Sequence, residues 1–137
     1  MTHQELAAQG ARRLLVDEHP GYPCRVSLTD AALGESVILA PFRHHDVDSP
    51  YQSLGPVFVR EAATTATPEV NEVPPMLRHR LLSIRAYDAG AMMKAAAVVE
   101  GRMLEDSVRE YFADGNIAYL HLHNARPGCF NCLVRRA

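Results

Sequence analysis

Apolar residues along this chain recur mostly at every second position, in short blocks, with turn-forming residues between them. Over residues 11–18, Leu14 and Val16 share one side of an extended chain, and Arg13, Leu15 and Asp17 share the other. Val37-Ile38-Leu39-Ala40 is apolar on both faces, the mark of a buried strand. Val57-Phe58-Val59-Arg60 predicts a third strand. Leu82 to Asp88 predicts a fourth, with Leu82, Ile84 and Ala86 on one face and Ser83, Arg85 and Tyr87 on the other. Residues 93–99, Ile117–His123 and Phe130–Val134 complete the strands, and Pro127-Gly128 is a turn.

Helical spacing is confined to three short stretches. Residues 3–10 predict a helix stopped by Gly10, and Pro74-Pro75 open a second over Met76–Leu81. Leu104, Val108, Tyr111 and Phe112 stand at i, i+4, i+7 and i+8, which predicts an amphipathic helix ended at Asp114-Gly115-Asn116. Residues 43–56 read as a long loop, on the strength of Asp46, Asp48, Ser49, Pro50, Gly55 and Pro56. Residues 62–71 read as a surface loop. Regular βαβ alternation is absent. The expected fold is α+β, a largely antiparallel sheet with a few short helices, in one domain spanning residues 1–137.

Composition narrows the function classes. A chain of 137 residues with 47% hydrophobic residues has room for one ordinary core. Thirteen Arg and one Lys face sixteen acids, for a net charge of −2, so a basic nucleic-acid binder is disfavoured. No apolar run approaches the length of a membrane span, and the first twenty residues lack the pattern of a secretory signal. The expectation is a cytoplasmic protein without nucleic-acid or membrane partners. Three cysteines, Cys24, Cys129 and Cys132, make an odd count that argues against a disulfide framework.

Several residues could carry chemistry. His121 and His123, at i and i+2 of a strand, point into one space, where they suit a metal or an anion; the competing reading is a solvent-facing polar side. His44 and His45 are adjacent and diverge, which disfavours a joint role. Arg25, Arg60 and Arg85 sit in or beside apolar strands, and each needs a carboxylate (Asp30, Glu35, Glu61 or Asp88) or an anionic ligand. Cys129 and Cys132 form a C-x-x-C outside any helical context. With Cys24 and one of His121 or His123 they would make a zinc set, against which Cys132 reads as a small buried apolar residue. No metal and no cofactor is assigned. There is no G-x-S-x-G, G-x-G-x-x-G or P-loop, so no motif names a reaction.

Taken in order, Pro20-Gly21-Tyr22-Pro23-Cys24-Arg25, Asp48-Ser49-Pro50-Tyr51, Gly55–Glu61, Arg85-Ala86-Tyr87-Asp88 with Gly90 and Met92, and His121–Phe130 resemble the bacterial family catalogued as domain of unknown function 1203. The resemblance implies no activity. It picks out Cys24, Arg25, Asp48, Ser49, Tyr51, Arg60, Arg85, His121, His123 and Cys129 as matches to recurring motifs, and Cys132 less so. The reading carried forward is a site for a small molecule or anion, built from Cys24, Arg25, Arg60, Arg85, His121, His123 and Cys129. The alternatives are a metal-stabilised module and an interaction domain, with a homodimer expected from the need to cover sheet edges.

Overall fold

The computed structural model describes residues 1–137. The chain forms the expected α+β architecture, with its strands split between two antiparallel sheets. In chain order the elements are α1 (His3–Ala8), β1 (Arg12–Leu15), β2 (Ser36–His45), β3 (Ser53–Arg60), α2 (Pro75–Arg78), β4 (Leu81–Tyr87), β5 (Met93–Glu100), α3 (Leu104–Phe112), β6 (Tyr119–Asn124) and β7 (Phe130–Arg135). A single 3₁₀ turn, Gly101–Met103, leads into α3. The smaller sheet has the order β1-β2-β3 and the larger β5-β4-β6-β7. No helix is long and apolar enough to cross a membrane.

One face of the larger sheet carries the main core. Leu82, Ile84 and Ala86 of β4 pack with Leu120 and Leu122 of β6, Cys132 of β7, Met76 and Leu77 of α2, and Leu104 of α3. The helical spacing of α3 is therefore used as expected, with Val108, Tyr111 and Phe112 against the same cluster. A smaller core of Val16, Ala31 and Val37 underlies the three-stranded sheet.

The expected long loop over residues 43–56 is half strand. β2 runs to His45 and β3 begins at Ser53, so the loop shrinks to a hairpin connection. The prolines and Gly55 read as breakers because proline cannot donate to a ladder. Here Pro41 lies opposite Pro56 and Phe42 opposite Gly55. β1 pairs only with Ser36–Leu39, so both prolines fall where their strand has a free edge, and proline is tolerated there.

Candidate functional site

β6 is buried on both faces. Leu120 and Leu122 face the apolar core, and on the opposite face His121 is 3% exposed and His123 1% exposed. The alternative of a solvent-facing polar side is thereby excluded, because the β2–β3 hairpin lies over that face. The antiparallel ladder sets Arg85 opposite His121, Ser83 opposite His123 and Tyr87 opposite Tyr119, so these side chains share the covered surface.

The hairpin contributes two imidazoles. Its register slips between Phe42 and His45, where one extra residue is accommodated in β2. A bulge of this kind re-aims side chains, and it overturns the expectation that His44 and His45 diverge. The His44 ring centroid lies 5.0 Å from that of His123 and 6.0 Å from that of His121. The His45 ring lies 4.8 Å from that of His121. Phe130 closes the group, stacked on His44 at 5.1 Å with a 7° interplanar angle.

Hydrogen bonds assign two tautomers. His45 Nδ1 lies 2.8 Å from the Tyr51 carbonyl, which only accepts, so Nδ1–H donates. His45 Nε2 then accepts from the Tyr119 hydroxyl at 2.5 Å. His123 Nδ1–H likewise donates to the Gly128 carbonyl at 2.9 Å, leaving Nε2 as a lone pair. Gly128 adopts a φ of +83°, in the left-handed region that favours glycine, at the turn that presents this carbonyl.

Three ring nitrogens of the group are buried without any partner: His44 Nδ1, His121 Nδ1 and His123 Nε2. One ring nitrogen from each of His44, His121 and His123 lies within 4.8 Å of the others. Burial, then repulsion from His45, His123, His44 and Arg85, pushes His121 down to about 3. Burial dominates at His123 as well, opposed by the bond to Gly128, and brings it down to about 4. His44 is also lowered, by burial and then by Arg85 and His45. All three imidazoles are neutral at neutral pH.

Beside them opens a cleft of about 330 Å³, lined among others by His44, Arg85, His123, Gly128, Cys129 and Phe130. Arg85 makes no salt bridge, whereas Arg13, Arg60, Arg78, Arg80, Arg102 and Arg109 all do. No acidic residue lines the cleft.

A model of the family described as "Protein of unknown function (DUF1203)" matches residues 21–136. The chain belongs to the DUF1203 family. The match spans every residue of the cleft and of the imidazole group, and the family description carries no activity. No curated protein and no solved structure gives a significant match to this DUF1203 chain.

The seven sequence-selected positions of this DUF1203 member separate into layers. Arg85, His123 and Cys129 line the cleft, and His121 stands directly behind it, opposite Arg85. Arg25 is one layer away, its guanidinium 5.1 Å from the ring centres of both Phe42 and Phe130. Cys24 and Arg60 do not line the cleft. Arg60 is paired with Glu35 at 2.9 Å, and Cys24 Sγ accepts the backbone N–H of Arg60 at 3.3 Å and of Ser27 at 3.4 Å. The three-cysteine zinc set is not assembled. The one group of three ligand-forming side chains close enough for a metal is His44, His121 and His123.

Sequence reasoning weighed His44 and His45 and set them aside as a diverging pair in a loop. The signal available was the pair of adjacent histidines two residues after Phe42, in a stretch followed closely by Gly55 and Pro56. Other family-like positions serve as struts. Ser49 Oγ donates to the Ala91 carbonyl at 2.9 Å, docking the hairpin tip on the β4–β5 turn, which Asp88 Oδ1 braces by accepting from the backbone of Gly90 and Met92.

Proposed function

We propose that this chain is a binding domain for a small anion, taken up in the inter-sheet cleft against Arg85. One observation carries the reading: Arg85 projects from a central strand into a cleft with no carboxylate to neutralise it. A guanidinium keeps its charge, and placing it among neutral, half-buried groups is costly unless an anion arrives. Its planar fork suits a carboxylate or phosphate held through two parallel hydrogen bonds. The cleft volume of about 330 Å³ is at the small end of ligand sites and favours a compact molecule. Cys129 and the backbone at Gly128 would form its wall.

The test is a thermal-shift and calorimetric titration with inorganic phosphate and with short mono- and dicarboxylates, on the wild type and on Arg85→Gln. At least one of these anions is expected to raise Tm in the wild type and to lose that effect in the variant. If no anion acts, or if Arg85→Gln responds like the wild type, the reading is wrong.

A further inference from the structure

We propose that His44, His121 and His123 form a binding site for one divalent transition ion of the zinc type. The three imidazoles come from separate places in the chain, His44 from the bulge of β2 and the other two from β6, and the packing of the sheets brings one nitrogen of each within 4.8 Å of the others. Each of these rings holds a buried nitrogen with no hydrogen-bond partner. A single buried orphan costs about 1–3 kcal/mol, so one on each of three clustered rings calls for a ligand that satisfies them.

The chemistry of the donors selects the ion. Neutral imidazole is a good ligand for zinc, copper, nickel and iron, whereas calcium and magnesium want oxygen donors. The group contains no carboxylate. His123 is already oriented by its Nδ1–H bond to Gly128, the kind of support that ligating histidines have. Nitrogens about 2.0–2.1 Å from a tetrahedral zinc ion stand about 3.4 Å apart, so the group closes by at most about 1.4 Å. His44 sits on a hairpin bulge and is half-buried, which makes it the ring best placed to move.

Three imidazoles leave a fourth position, a feature of sites that exchange a ligand. In a second step, which rests on the anion reading, that position faces Arg85 and the anion bridges ion and guanidinium. The ion and Arg85 together carry three positive charges with no acid near them, so phosphate is expected to bind more tightly to the loaded protein.

The experiment strips the full chain with a chelator and titrates it with Zn²⁺ by calorimetry and with Co²⁺ by visible absorbance. One ion per chain is expected. His44→Ala and His121→Ala are each expected to weaken binding by about 100-fold or more, while His19→Ala, at an exposed position, leaves it unchanged. Circular dichroism checks each variant, and should His121→Ala fail to fold, His44→Ala decides. No saturable binding at one ion per chain, or affinity retained within about threefold in His44→Ala, overturns the proposal. Phosphate is then titrated into the stripped and loaded forms. Phosphate binding that depends on Arg85 without any metal binding removes only the ion; metal binding without a phosphate response removes only the anion.

Discussion

Arg85 and His121 stand opposite one another across the β4–β6 ladder, a permanent cation beside an imidazole that burial and its neighbours keep neutral. Neither makes a salt bridge, and His121 Nδ1 has no hydrogen-bond partner. A purely structural sheet would put apolar side chains at such a point, at lower cost.

The histidines make stability depend on pH in a defined window. His121 and His123 fall from an ordinary value of 6.5 to about 3 and about 4 in the fold. Between those values and 6.5 the unfolded chain binds more protons than the native one, so metal-free stability falls as pH falls. Urea unfolding with chelator at pH 7, 6 and 5 is expected to show a progressive drop. His121→Gln should flatten the dependence. A wild type equally stable at pH 7 and pH 5 would refute the neutral, buried assignment.

The Arg60–Glu35 pair is expected to be structural. Both side chains are about a quarter exposed, so solvent screens the pair and its contribution is small. Arg60→Met should lower stability only slightly and leave the phosphate response of the wild type intact. Loss of the response in a folded Arg60→Met protein would move the anion site.

Cysteine labelling should separate access from acidity. Cys129 is half-buried in the cleft wall, whereas Cys24 is 0% exposed and Cys132 is buried. Burial pushes Cys132 up to about 12. At Cys24 burial also acts upward, but hydrogen bonds from Ser27, Arg60 and Val26 outweigh it and the net shift is down. Thiolate character is of no use to a reagent that cannot reach the sulfur. Native protein should therefore release one fast equivalent of aromatic thiolate from an aromatic disulfide reagent, each forming a mixed disulfide on the protein, abolished by Cys129→Ser, and denatured protein three. A fast phase that survives Cys129→Ser would contradict this packing.

Gly101→Ala tests the seat of α2 under the turn into α3. A Cβ at this position would fall 1.7 Å from the Leu77 carbonyl oxygen, which is backbone and has no rotamer to give. The substitution should cost about 1–3 kcal/mol or more, measured by urea unfolding. A neutral effect would mean that α2 is free to shift against this turn.

Much of the fold could be read from pattern because most elements are short and present one apolar face. The alternation of Leu82, Ile84 and Ala86, and the spacing of Leu104, Val108, Tyr111 and Phe112, map directly onto the faces that pack. The family match over residues 21–136 agrees with the motifs found in Pro20–Arg25, Gly55–Glu61 and His121–Phe130. What local pattern could not give was the covering of β6. Alternation says that His121 and His123 share a side, but whether water or another sheet meets them depends on a hairpin far upstream, whose His45 packs on His121. The bulge at Phe42–His45 is likewise invisible to a two-residue period, which is why His44 and His45 read as a diverging pair in a loop. Arg60 illustrates the reverse case, where Glu35 was among the acids foreseen and only distance chose it.

The most direct measurement of the central claim is a crystal structure of the chain grown with zinc and phosphate, with data collected at the zinc absorption edge. The account predicts one strong anomalous peak enclosed by His44, His121 and His123, and a phosphate held in the cleft by the Arg85 guanidinium. No peak among the three imidazoles, with Arg85 turned to solvent or paired to a carboxylate, would contradict it.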